Sequence, residues 1–290
     1  MTRTLRSAVC LLLATACQAR TQHTASEPRT AAQGSGYVLV WADEFTKAGR
    51  PDPNNWVYEN GFVRNEELQW YQSDNAFCKD GLLVIEARRE HRPNPGYAPD
   101  SRDWRRSRPH IEYTSACIKT VGRHAWTCGR FEMRGRIDTR SGLWPAFWTL
   151  GSAREWPGCG EIDIMECYRG MILANACWAS GARWRAVWDD LKKPISEFAD
   201  AEWSSKFHVW RMDWDKDSIQ LYVDDELLNT VELNKTTNGT PDKANPFHEP
   251  HYILLNLALG GTNGGDPAGT EFPARFEVDY VRVYQAPGTP

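Results

Sequence analysis

At 290 residues with a formal net charge of −4, the chain is long enough for one large domain, and all-β sandwiches of that size commonly stay single domains. The small charge and the lack of a long basic stripe argue against nucleic acid or an anionic membrane surface as a partner. A neutral ligand is expected, and the 14 Trp suit the C–H faces of sugar rings, although most indoles in a globular chain fill its core.

The chain opens with Arg3 and Arg6, an apolar run over residues 8–16 and then small residues. This pattern reads as an export signal over residues 1–19, too short for a membrane span. Leu13-Ala-Thr-Ala-Cys17 also resembles a bacterial lipobox, in which Cys17 would be lipidated. The expected location is therefore secreted, periplasmic or lipid-anchored at the cell envelope, with membrane contact only through that anchor. Residues 20–36, rich in Thr, Ser, Ala, Gln and Arg without apolar periodicity, read as a flexible linker. The folded domain is expected over 37–286, acting as a monomer.

Six cysteines follow the signal: Cys78, Cys117, Cys128, Cys159, Cys167 and Cys177. An oxidising destination favours disulfides, and six thiols allow 15 pairings. Among these, Cys159 with Cys177 would brace the two ends of the segment 160–166. The absence of any Cys-x-x-Cys pair disfavours a metal cluster.

From Tyr37 onward, short apolar or alternating segments follow one another between Gly, Pro, Asn and Asp, with no sustained helical period. Gly81–Ala87 comes first. His91 to His110, rich in Arg and Pro, reads as a surface loop. In Arg130–Ile137, Phe131, Met133 and Ile137 share one face while Glu132, Arg134 and Arg136 share the other. Arg185 to Asp200 reads as a short helix or a long rim loop. Phe207–Trp214, the turn Asp215-Lys-Asp217 and Ser218–Asp224 form a β-meander. His208 in that meander reads as a structural residue. Tyr252–Leu259 is a continuous apolar strand, followed by the Gly-rich loop 260–265, and Phe276–Tyr284 closes the domain. About a dozen strands in two layers give an all-β jelly-roll sandwich of two curved antiparallel sheets with a concave groove.

The chemistry concentrates in Gly160-Glu-Ile-Asp-Ile-Met-Glu166. In a regular strand Glu161 and Asp163 share a face and Glu166 points to the other. One extra residue, a β-bulge, would return Glu166 to the face of the other two. Three carboxylates in a row disfavour joint ionisation, so at least one binds its proton more tightly. Glycosidic cleavage needs that polarity: an ionised carboxylate to attack the anomeric carbon and a protonated one to serve the leaving oxygen. Neighbours on one strand hold their carboxyls roughly 5–6 Å apart, the spacing of retaining enzymes. A calcium site would want further oxygen ligands from a loop, whereas these acids sit amid strand-forming residues.

The segment Glu161-Ile-Asp-Ile-Met-Glu166 resembles the signature of glycoside hydrolase family 16 in its bulged, laminarinase-like form. The resemblance extends to Trp41–Phe45, Asn65–Tyr71, Asp80–Leu83, Tyr113–Ala116, Gly142–Trp148, Asn256–Gly261 and Val278–Tyr284, in the family's order. It implies Glu161 as nucleophile, Glu166 as acid/base and Asp163 as the residue that assists the nucleophile. Trp144 and Trp148, four apart on a strand, resemble the family's sugar-stacking pair, and Trp156 is a further stacking candidate. Asn65 and Glu67 match a polar pair near the cleavage point. Glu44, the Gly81 carbonyl and Asp279 resemble a structural calcium site; catalysis itself is expected to need no cofactor.

The pattern departs from the family after the acid-bearing strand. Laminarinases carry a His-containing segment there, whereas this chain has Ile172–Trp178, so Asn175 or Trp178 is expected to form the leaving-group wall. The substrate expected is β-1,3- or mixed β-1,3/1,4-glucan, cut endo-wise. A galactan hydrolase, acting on agar-like, carrageenan-like or lactosamine-type chains, is the alternative, and the basic segment Arg102–Arg108 would favour a sulfated galactan if it faced the groove. A non-catalytic sugar-binding module would have no need of two carboxylates so placed.

Overall fold

The computed structural model describes residues 36–288. The export signal, Cys17 and residues 20–35 of the linker lie outside them, and the compact unit that includes the described residues begins at Gly36. Two sheets, of ten and seven strands, make up that unit. Among the described strands every pairing is antiparallel except that of Gln69–Tyr71 with His110–Ser115.

Alternation builds the ten-stranded sheet. In His208–Trp214 the residues His208, Trp210, Met212 and Trp214 are buried and Val209, Arg211 and Asp213 are not. Ile219, Leu221 and Val223 continue the pattern in the next strand. The tight turn between them is fixed by Asp215, whose Oδ1 accepts from the backbone N–H of Asp217 at 2.8 Å and of Ser218 at 2.7 Å. His208 is satisfied within the core edge, its ring nitrogens at 2.8 Å from Asp224 and 2.9 Å from the Trp203 carbonyl.

The seven-stranded sheet runs in the spatial order Ala186–Pro194, Met171–Ala179, Glu161–Tyr168, Leu143–Gly151, His251–Leu259, Cys117–Lys119, Val57–Tyr58. Its central strands present Ile162, Ile164, Ala174 and Ala176 to Phe131, Met133, Trp210 and Met212 of the facing sheet in one continuous core. Each such aliphatic or aromatic side chain contributes about 1.5–3 kcal/mol by leaving water. Truncating Ile162 to Ala would cost roughly 2–5 kcal/mol and loosen the strand that carries the acids.

Three segments differ from expectation. Arg185–Asp200 holds the short helix expected, a 3-10 turn at Ile195–Phe198, but most of it is strand: residues Ala186–Pro194 form the edge strand. An edge strand with no fully buried residue has no strong hydrophobic alternation to betray it. His91 and His110 are strand residues, at the end of Leu82–Pro93 and the start of His110–Ser115. The loop spans only 94–109 and includes a turn of helix at Trp104–Ser107, capped by Asp103. All six cysteines are free thiols, and that of Cys159 donates to the Gly160 carbonyl rather than bonding to Cys177.

The residues likened to a calcium site have other partners. Glu44 takes a two-pronged contact from Arg282, at 2.7 and 2.9 Å, and Asp279 accepts from Arg134 at 2.7 Å. Both carboxylates are thus paired with guanidinium groups, which an ion at Glu44, Gly81 and Asp279 would have to displace.

Candidate active site

The acid-bearing strand Glu161–Tyr168 lies between Leu143–Gly151 and Met171–Ala179. Toward Met171–Ala179, Asp163 pairs with Asn175 and Glu166 with Leu173, so three steps on one strand oppose two on the other. Toward Leu143–Gly151 the same slip falls between Asp163 and Met165. This is a β-bulge of one residue. It turns Glu166 onto the face of Glu161, and both carboxylates line one cleft of about 670 Å³.

Each of these two acids receives one indole N–H. Trp156 Nε1 donates to Glu161 Oε2 at 2.7 Å, and Trp144 Nε1 donates to Glu166 Oε1 at 2.8 Å. Asp163, almost wholly buried, meets no donor at full hydrogen-bond geometry, though the side chains of Asn175 and Glu161 lie close enough to act on its ionisation. Burial pushes the Glu161 carboxyl up to about 7, against the pull of the Trp156 N–H. Burial and then the Glu161 charge push Glu166 up to about 8. Asp163 is raised well above the usual range by burial and by the charges of Glu166 and Glu161. The three therefore share protons and titrate as a set, with Glu161 the easier of the two cleft acids to ionise.

Most of the expected ligand-binding residues converge here. Asn65, Glu67, Trp144, Trp148, Trp156 and Asn175 all line the cleft. Glu67 is buried and held by Gln69 Nε2 at 2.6 Å and Asn65 Nδ2 at 3.2 Å. Burial raises its pKa, while the nearby Arg64 works the other way. Trp148 donates to Asn256 Oδ1 at 2.7 Å and lies 5.2 Å from the Arg64 guanidinium across its ring.

Trp178 is the exception. It stands three places from Asn175, so the two-residue period turns it to the other face. There it belongs to the inter-sheet core and meets Phe247 edge-on at 6.4 Å. Nor does Arg102–Arg108 line the groove. Arg105 and Arg108 instead donate to the carbonyls of Val63 and Glu66 at 2.7 and 2.6 Å.

Sequence reasoning missed Arg64 and the row Trp188, Asp190 and Lys192, which all line the cleft. The last three lie on the edge strand directly across from Cys177, Asn175 and Leu173. Their spacing of two would have revealed them had 186–194 been read as a strand. Trp188 is 45% exposed, an unusual state for an indole without a partner to meet.

Residues 64–282 match the family model described as glycosyl hydrolases family 16. The chain belongs to that family. It is 36% identical over 272 residues to a beta-glucanase of Rhodothermus marinus, covering 86% of this chain and 85% of the relative. Among solved structures, the laminarinase catalytic domain of Thermotoga maritima superposes with a TM-score of 0.71 at 31% identity, covering 86% of this chain and 98% of that one. A chain from work on endo-acting O-glycanases of the human gut microbiota that initiate mucin breakdown gives 0.79 at 34% identity, covering 88% and 93%. The family 16 protein described here is thus a glycoside hydrolase with a jelly-roll fold, and its bulged acid strand lies at the floor of the cleft.

Proposed function

We propose that this family 16 enzyme is a retaining endo-β-glucanase that cuts β-1,3- or mixed β-1,3/1,4-glucan by double displacement. Glu161 is the nucleophile, Glu166 the acid/base and Asp163 the assisting acid. The observation that carries this reading is the bulge, which sets Glu161 and Glu166 side by side on the cleft floor with separate N–H donors.

The roles follow from which oxygens are free. Trp156 occupies Glu161 Oε2, leaving Oε1 to attack the anomeric carbon. Trp144 occupies Glu166 Oε1, leaving Oε2 to carry the proton. As the Glu161–carbon bond forms, the glycosidic bond breaks and Glu166 delivers its proton to the departing oxygen. Water then enters, gives a proton to Glu166 and attacks the same carbon, and Glu161 leaves as carboxylate. Asp163, held protonated by burial beside the Glu161 anion, gives its proton in a hydrogen bond to Glu161 and steadies the anion until it attacks. The two half-reactions balance with water as the only co-reactant.

Sugar rings stack on Trp144, Trp148 and Trp156 on one side of the acids, while Asn175, Trp188, Asp190 and Lys192 serve the leaving side. The β-glucanase and laminarinase relatives support glucan as substrate. The galactan reading retains two supports: 26% identity over 256 residues to a keratan-sulfate endo-1,4-beta-galactosidase of Sphingobacterium multivorum, and the TM-score of 0.79 to the chain from the mucin O-glycanase work. Against a sulfated galactan stands the engagement of Arg105 and Arg108 by backbone carbonyls. Incubation with laminarin, lichenan, agarose and lactosamine-type glycans, with product sizing, tests the reading. Short oligosaccharides from laminarin or lichenan are expected; cleavage of lactosamine-type chains alone would overturn the glucan assignment.

The enzyme is proposed to act as a monomer outside the cytoplasm, delivered by residues 1–19. Fractionation of cells expressing the native chain and Cys17→Ser distinguishes the anchored from the free form.

A further inference from the structure

We propose that His91, His110 and Glu112 form a binding site for a divalent transition-metal ion of the zinc type, set across the neck of the 94–109 loop. His91 sits near the end of the strand Leu82–Pro93, and His110 and Glu112 on the strand His110–Ser115 that pairs with it. The register slips between Arg89 and Arg92, and Pro93 lies opposite His110. His110 and Glu112, two apart, share a face, and the ligating atoms of all three residues lie within 4.8 Å of one another in solvent reach.

The geometry is close to that of a bound ion. His91 Nδ1 is 3.0 Å from both Glu112 oxygens. In a tetrahedral zinc site with bonds of about 2.0–2.1 Å, ligand atoms stand roughly 3.3 Å apart. That edge of the tetrahedron is therefore nearly in place. The imidazoles of His91 and His110 stack at 4.3 Å and 28°, so only a ring rotation of an exposed side chain is needed to bring the third donor in. Two imidazole nitrogens and one carboxylate suit zinc, copper or nickel, with water completing the shell. Calcium or magnesium would want an all-oxygen set.

The nearby cations are directed elsewhere. Arg89 donates to the Ala268 carbonyl at 2.9 Å and lies over Tyr113 and Phe272. Arg92 bonds to Gln72 and approaches Glu90 at 3.5 Å. The ion-pair partner of Glu112 is His91, itself a member of the site.

The site's position gives the ion a structural task. Just beyond His91, Asn94 closes the loop through its N–H to the Pro109 carbonyl at 2.9 Å, and through Nδ2 to the Arg105 and Arg108 carbonyls at 2.9 and 2.8 Å. Arg105 and Arg108 in turn support the segment bearing Asn65 and Glu67. An ion holding His91 to His110 pins both ends of the loop that buttresses the cleft rim. It stabilises the folded state by binding there and not to the unfolded chain.

Zinc titration of the tag-free chain by calorimetry tests the proposal, with cobalt(II) as an optical probe of tetrahedral coordination. A single tight site is expected, accompanied by the tetrahedral cobalt band and a rise in thermal midpoint with zinc. His91→Gln, His110→Gln and Glu112→Gln should each weaken binding by at least about tenfold and remove the zinc-dependent rise in midpoint. All three side chains are exposed, so the variants should fold as the native chain does. Failure of the native chain to bind zinc, or equal binding by all three variants, would overturn the assignment.

Discussion

The outer face of the ten-stranded sheet and the cleft floor of the seven-stranded sheet use the same acidic residues in opposite ways. On the outer face Asp213, Glu277, Asp279 and Glu44 each meet an arginine, Arg130, Arg136, Arg134 and Arg282 respectively. On the cleft floor Glu161 and Glu166 receive one indole N–H each, and Asp163 is crowded by both of their carboxylates. Crowded carboxylates without a cation partner bind protons more tightly, which lets one of them act as an acid beside an ionised neighbour.

Breaking the cleft side of that contrast has the largest expected effect. Glu166→Gln should lower kcat on an unactivated polysaccharide by roughly 10²–10⁴-fold. Glu161→Gln should lower it at least as far, while binding of the polysaccharide in affinity electrophoresis persists. The pH dependence follows from which forms react: Glu161 ionised and Glu166 protonated. The kcat/KM profile should rise through about 7 and fall through about 8, these limbs belonging to the coupled pair.

Trp156→Phe sharpens the same contrast by removing the indole N–H that Glu161 receives. A hydrogen bond to the anion lowers its pKa, so its loss should move the acid limb upward, by up to about one unit. Activity below that limb then falls by up to about tenfold; an unmoved limb would separate Trp156 from the ionisation of Glu161. Trp188→Ala should raise KM for long chains about fivefold, as loss of one aromatic platform implies, and leave short substrates that do not reach it unaffected. The smallest effect belongs to the paired face: Arg130→Met should cost about 1 kcal/mol in denaturant unfolding and nothing in kcat.

Much of this was legible in the sequence, where a local rule decided it. The bulge was required because Asp163 and Glu166 differ by an odd number of residues, and the register shows the extra residue between them. Parity also excluded Trp178 from the wall that Asn175 forms, a distinction the motif-level reading passed over. The edge strand carrying Trp188, Asp190 and Lys192 was hidden because none of its residues is fully buried, so no strong apolar alternation marks it. The arginine partners of Asp279 and Glu44 lie 145 and 238 residues away along the chain. No local spacing connects them, so the sequence could not show that these acids meet arginines. The same distance effect concealed Arg64, whose partner Glu59 is close in sequence but whose place over Trp148 depends on the packing of two separate strands.

The division of labour between the two cleft acids is tested most directly by trapping the covalent intermediate. The enzyme would be incubated with a 2-deoxy-2-fluoro β-1,3-linked glucobioside bearing a good leaving group, then digested and mapped by mass spectrometry. The account predicts a single glycosyl ester on Glu161. A label on Glu166 or Asp163 would contradict it.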